Sequence, residues 1–210
     1  MNLKLPKISV SGIINIDTKD PNNSFLVQEC FFWLMTSALG CDSSITGITG
    51  DFIANNSKSI TMIQKLGYFL CKRPYGYELF GEPCLSASIN ADETKDLLPM
   101  IAVLCASTSI EAEFEFSKAG MYDFMSSINT MMISLGINTA LLANKLLIKT
   151  DSVISGGVVD TIDDARLVFG CALASIVSSQ DIMVMNINSF ERLHPRFWNK
   201  LNSSSAFRFG

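Results

Sequence analysis

The chain has 210 residues, of which 48% are hydrophobic and 17% charged, and its formal net charge is −4. That length supports one sizeable core, and the balance excludes intrinsic disorder, collagen-like repeats and low-complexity character. Charge this sparse, against roughly 25% in soluble domains, predicts apolar surface held at contacts with other molecules, so self-association is the expectation.

In chain order, Ile8, Val10, Ile14 and Ile16 alternate with Lys7, Ser9, Ser11, Asn15 and Asp17, the period of a half-buried strand. Residues 18–23 read as a turn, and Ser24 is placed to cap a helix from Phe25 to Leu39 that Gly40 stops. Gln28, Glu29 and Thr36 form one narrow polar stripe on it. Phe25, Val27, Phe31, Phe32, Trp33, Leu34 and Met35 cover the rest, which predicts a central or interfacial helix. Residues 41–59, rich in Ser, Thr, Gly and Asn, read as a long surface loop. A second helix is expected from Ile60 to Cys71, ended by Pro74, with Thr61, Gln64, Lys65, Tyr68 and Lys72 on its polar face.

Cys84–Asn90 reads as a strand and Met100–Ala106 as a fully buried one. Ile110, Ala112, Phe114 and Phe116 alternate with Ser109, Glu111, Glu113 and Glu115, a strand whose outer face carries three carboxylates. From Met121, the spacing of Phe124, Ile128, Met131, Met132 and Leu135 predicts a helix that Gly136 interrupts, and Thr139–Leu147 reads as another short helix. Gly156-Gly157 marks a turn. Thr161 with Asp164 makes an [ST]-x-x-[DE] cap for a helix reaching Ser179, and Ile182–Ile187 reads as a final strand. No internal repeat is visible. The expected fold class is α+β: a single compact domain over residues 1–190, with a small antiparallel sheet packed against several helices, followed by a basic, aromatic C-terminal tail at 191–210.

Patterns that carry chemistry are sparse. Six cysteines stand at long, irregular intervals without a C-x-x-C, and read as buried reduced thiols suited to a cytosolic or nuclear compartment. His194, the only histidine, is followed by Pro195 and has no orienting partner nearby in sequence. Glu111, Glu113 and Glu115 read as a solvated face rather than a metal or acid/base site. Ser44–Gly50 lacks the lysine of a phosphate loop, and Gly156-Gly157 is no dinucleotide fingerprint. No catalytic, cofactor-binding or metal-ligating residue is therefore expected, and the protein reads as non-enzymatic, with no small-molecule substrate.

Polyanion-binding candidates are Lys65, Lys72 and Arg73 in one patch, and Arg192, Arg196, Lys200 and Arg208 in the tail. Phe190, Phe197, Trp198, Phe207 and Phe209 interleave with the tail cations, a composition that suits an RNA backbone with stacked bases or an anionic membrane surface. The N-terminus lacks the apolar core of a secretory signal, and no apolar run is long enough to span a bilayer, so a chain that is neither secreted nor membrane-spanning is expected.

Lys72-Arg73-Pro74-Tyr75-Gly76-Tyr77-Glu78-Leu79-Phe80-Gly81 follows a strand, an aromatic helix, a loop and a second helix, and precedes antiparallel strands. Over residues 7–116 this order resembles the compact core of rhabdovirus-type matrix proteins. The resemblance implies a matrix-like, non-enzymatic viral structural protein of the virion and host cytoplasm or nucleus. Such a protein self-associates and contacts ribonucleoprotein or membrane during assembly; no residue roles carry over. The alternatives are an RNA-binding nucleocapsid or coat protein, and a viral accessory protein of the movement or silencing class.

Overall fold

The structure, a computed structural model, describes residues 1–16, 18, 23–149, 151 and 153–204. After β1 (Asn2–Leu5), the chain makes three passes through one pattern of elements. The first pass is β2 (Ser11–Asn15), α1 (Ser24–Ala38), β3 (Asp42–Thr46), α2 (Gly50–Asn55), α3 (Ser57–Lys65), β4 (Tyr68–Arg73) and β5 (Gly76–Gly81). The second is β6 (Ser86–Asn90), a 3-10 turn at Lys95–Leu97, α4 (Leu98–Ser107), β7 (Glu111–Glu115), α5 (Met121–Ser134), β8 (Thr139–Leu141) and β9 (Lys145–Ile148). The third is β10 (Gly157–Asp160), α6 (Ala165–Val177), β11 (Ile182–Met185), α7 (Asn188–Leu193) and α8 (Phe197–Ser204).

Each pass makes its own sheet. The first two run β2-β3-β5-β4 and β6-β7-β9-β8, and the third runs β10-β11-β1. In every sheet the first two strands are parallel, so each pair needs a crossover, which α1, α4 or α6 supplies. The next strand is antiparallel to them: β5, β9 and, brought from the start of the chain, β1.

The three crossover helices are the interior. Leu98–Ala106 of α4 are all buried, as are Cys30–Thr36 of α1 and most of α6. They pack on one another and each on its own sheet. Gly170 of α6 lies against Pro99 and Met131, where an added methyl would stand 3.1 Å from both, so the missing side chain lets α4 and α6 close up. Phe32, Phe169, Phe190 and Phe197 join α7 and α8 to this interior through ring contacts of 4.9 to 5.9 Å.

Three mixed sheets around central helices thus replace the expected single small antiparallel sheet. Met100–Ala106, expected as a strand, is helical, since a run apolar on every side has no period that tells the two apart. The expected loop at 41–59 holds β3 and α2. The helix expected to Cys71 stops at Lys65, because Gly67, at φ +97 and placed where an added Cβ would overlap the Glu82 carbonyl, turns the chain into the β4–β5 hairpin. Thr139–Leu147 likewise forms the β8–β9 hairpin. Asn23 caps α1 by accepting from the Phe25 and Leu26 amides, the role expected of Ser24. Asp17, most of the expected 18–23 turn, Phe207, Arg208 and Phe209 lie outside the described residues. No helix among the described residues is long and apolar enough to cross a membrane.

Glu29 of α1 accepts from Lys200 Nζ at 2.7 Å and has His194 Nδ1 at 3.9 Å, tying α7 and α8 to α1. Burial alone would raise its carboxyl, but the His194 ring and the Lys200 ammonium outweigh this and hold it below its usual range. A carboxyl depressed by folding stabilises the protein fully above its unfolded value, about 4.3, and loses that contribution as pH falls through the folded value. Urea unfolding should therefore show wild type more stable than Glu29→Gln at pH 7, with the gap shrinking between pH 5 and pH 3; a pH-independent gap would contradict the bridge. In the same assay Phe169→Ala should cost about 3–5 kcal/mol, as for a large aromatic in a close-packed core, and a loss under about 1 kcal/mol would show the core to be looser.

Candidate active site at the helix mouth

The starts of α1, α4 and α6 open on one cleft of about 490 Å³, lined by Phe25 and Gln28 of α1, Asp96 just ahead of α4, and Asp164 and Arg166 at the start of α6. A neighbouring cleft of about 500 Å³ shares Asp96 and extends past Asp92 and Lys118. At the other ends of the helices, Leu39 and Ile176 line a groove of about 900 Å³ that is mainly apolar, its charges limited to Lys4, Lys7 and Asp42. Chemistry needs convergent polar groups, so the mouth is the candidate site and the larger groove is not.

Arg166 is the centre of the mouth. Its Nε donates to Asp164 Oδ1 at 2.9 Å and its Nη2 to Asp164 Oδ2 at 2.5 Å, while Asp164 also caps α6 by accepting from the Arg166 amide at 2.9 Å. Nη1 lies 3.9 Å from Asp96 Oδ1, within ion-pair range but beyond a hydrogen bond, and so keeps donor capacity for a ligand. The guanidinium carbon stands 3.8 Å over the Phe124 ring, a cation–π contact that fixes the plane of the fork.

The rim is a strained turn held by carboxylates. Ile162 (φ 44) and Asp163 (φ 60) are both left-handed, uncommon for any residue and most of all for a β-branched one. Asp160 Oδ1 accepts from the Ile162 amide and from Asn186 Nδ2, each at 2.8 Å. Asp163 accepts from the Ser189 amide at 2.7 Å and from its hydroxyl at 2.8 Å. The Asn186 and Ile162 donors hold the Asp160 carboxyl below its usual range, and the Ser189 amide and hydroxyl do the same for Asp163. Arg192 reaches this rim through Ser189 Oγ at 3.2 Å.

Helix starts favour negative charge, and α4 has no side-chain cap of its own. Yet Asp96, Asp163 and Asp164 outnumber Arg166 around the cleft. The mouth thus offers one oriented cation and one open carboxylate, Asp96, whose side chain is 40% exposed, in a setting that is not strongly anion-attracting.

Of the polyanion candidates, Arg192 alone approaches the mouth. Lys65 ends α3, while Lys72 and Arg73 end β4 and are exposed, with Arg73 paired to Glu78 at 2.5 Å and lying over Phe80. Because 68–73 is a strand, Lys65 and Lys72 do not share a helix face. Arg196 is exposed between α7 and α8, Lys200 is committed to Glu29, and Arg208 lies outside the described residues. Phe190 and Phe197 are core residues and Trp198 packs against them. His194 is buried among Phe25, Phe169 and Phe190, and Glu113 pairs across the sheet with Lys145. Sequence reasoning missed Gln28, Asp96 and Arg166, although the cap signal at Asp164 pointed to within two residues of Arg166.

The family model described as EPSP synthase (3-phosphoshikimate 1-carboxyvinyltransferase) matches residues 31–201. The 3-phosphoshikimate 1-carboxyvinyltransferase of Clostridium novyi is 25% identical over 193 residues, covering 89% of this chain and 44% of that protein. That of Clostridioides difficile is 24% identical over 80% of this chain and 39% of its own length. Among solved structures, EPSP synthase from Acinetobacter baumannii is similar at TM-score 0.66 with 13% identity, over 85% of this chain and 45% of that one. The enolpyruvyl transferase NikO from Streptomyces tendae is similar at TM-score 0.64 with 16% identity, over 87% and 43%. The chain therefore spans less than half the length of the relatives it matches.

These matches overturn the matrix-protein resemblance and, with it, the viral structural role, the nucleocapsid or coat and accessory alternatives, and the ribonucleoprotein and membrane partners. Lys72-Arg73-Pro74-Tyr75 is the end of β4 and the two-residue turn of the β4–β5 hairpin, a local device rather than a family mark. Low charge gives the expectation of self-association; much of the apolar excess is buried in three interior helices, while Phe69, Phe80 and Leu85 are among the large apolar side chains that stay exposed. The non-enzymatic expectation falls too, since the family is one of transferases acting on small molecules. With more than half its length matched by the family model, the chain belongs to the EPSP synthase family.

Proposed function

We propose that this chain forms one lobe of a carboxyvinyl transferase, moving the carboxyvinyl group of phosphoenolpyruvate to a hydroxyl of a phosphorylated acceptor such as 3-phosphoshikimate. The observation that carries the reading is the pairing of Arg166 and Asp96 at the mouth of a fold that matches this family. The donor brings a carboxylate, which the open Nη1 of an already oriented guanidinium can receive. The acceptor hydroxyl must give up a proton as its oxygen bonds to the carboxyvinyl carbon and phosphate departs, and Asp96 is the exposed carboxylate within reach of that same guanidinium.

Three carboxylates around Arg166 make this lobe a poor site for the acceptor's phosphate. On this reading the cations for that phosphate come from outside this lobe; the chain spans 44% of the length of the Clostridium novyi relative.

The test is phosphate release from phosphoenolpyruvate and 3-phosphoshikimate by the chain purified with any polypeptide that accompanies it. Asp96→Asn should lower kcat by about 10²–10⁴-fold with little change in KM, the range for loss of a general base. Arg166→Ala should raise KM for phosphoenolpyruvate. Turnover that survives both changes, or no turnover in any preparation, would contradict the proposal.

A further inference from the structure

The three passes differ at one place. In the first two sheets the third strand, β5 or β9, has a fourth beside it, β4 or β8, antiparallel to it and packed on the helix that precedes that fourth strand in the chain, α3 or α5. In the third sheet β1 takes the third position, antiparallel to β11, and no strand lies beyond it among the described residues. The helix of this pass that corresponds to α3 and α5 is α8. A groove of about 900 Å³ is lined both by Leu3, Lys4 and Leu5 of β1 and by Trp198 and Leu201 of α8, where the other two sheets hold their fourth strand. Side chains alternate across a strand, so three consecutive lining residues put the groove along the edge of β1. An open edge presents main-chain donors and acceptors to any strand laid against it. The lining is mainly apolar, and its charges are Lys4, Lys7 and Asp42. Lys4 pairs with Asp181 at 2.7 Å, whereas Lys7, exposed two residues past the end of β1, has no ion-pair partner among the described residues, Asp42 included.

We propose that this groove is a docking site for an extended strand of another polypeptide, which pairs antiparallel with β1 as the fourth strand of the third sheet and sets a carboxylate beside Lys7. The direction follows from β4 and β8, each antiparallel to its neighbour. Because β1 runs towards Lys7, an antiparallel strand begins there, so the carboxylate belongs at its amino-terminal end. Alternate residues of the docked strand face the apolar lining and are themselves apolar. Main-chain hydrogen bonds supply the affinity, and the lining and Lys7 supply the selectivity. The docking rests on the open edge of the sheet and not on the transferase reading, and phosphate release does not enter its test.

Capped hexapeptides titrated into the full chain, followed by backbone amide chemical shifts, test this. The probes are Glu-Val-Thr-Val-Thr-Val, the same peptide with Lys in first place, and two forms of the Glu peptide N-methylated at one or the other set of alternate amides. The Glu peptide should perturb Leu3–Lys7 and Trp198–Asn202 together and bind about 5-fold tighter than the Lys peptide, and Lys7→Glu should reverse that preference. One N-methylated form should fail to bind while the other still binds, because only one edge of the peptide joins the ladder. No perturbation at these residues, equal binding of the two N-methylated forms, or an unchanged preference in Lys7→Glu would overturn the inference. Binding that appears only after removal of residues 205–210 would give the groove to this chain's own end, and binding only by splitting a dimer would give it to a second copy; either would overturn it too.

Discussion

A helix that is apolar all round has no face to give to water, and this chain contains three of them. One sheet covers one side of a helix. Burying α1, α4 and α6 together takes a wall on every outer side, which the three mixed sheets supply, each helix lying on the sheet whose parallel strands it joins. Everything else about the fold answers to that need: the missing side chain at Gly170, the aromatic contacts that bring α7 and α8 inward, and the return of β1 to complete the third sheet.

The same arrangement makes the site. Three parallel crossovers place their three starts together, and the polar residues that a buried helix can carry only at its ends collect there: Gln28, Asp96, Asp164 and Arg166. The first turns favour an anion, but the carboxylates that cap and line them cancel much of that preference. What remains is positional: a guanidinium held by Asp164 and Phe124, an exposed Asp96, and a turn whose left-handed Ile162 and Asp163 are kept in place by Asn186 and Ser189. Such a surface is good at orienting groups and poor at attracting charge, which is what the proposed lobe asks of it.

The α5 helix and the Glu111–Glu115 strand were legible from sequence because one face of each meets water and leaves a period, and α1 and α6 were legible because capping and stop residues mark their ends. The third interior helix was not. Met100–Ala106 is too uniformly apolar to distinguish helix from strand, and the short β8–β9 pair carries a helix-like spacing that its hairpin overrides. The threefold pattern lives in the order of elements, so a search for repeated residues could not find it. The site was hidden for a related reason: its members sit singly at helix starts far apart in sequence, and only the fold brings them together. Cations that stand out by clustering, such as Lys72 and Arg73, fall instead at a hairpin end.

The central claim is that the three helix starts form one ligand site. Backbone amide chemical shifts followed while 3-phosphoshikimate and phosphoenolpyruvate are added test it directly. Perturbations should concentrate at Gln28, at Asp96–Leu98 and at Asp164–Arg166 together, one set from each helix. Shifts confined to the Leu3–Ser11 groove at the opposite end, or to one helix start without the others, would contradict it.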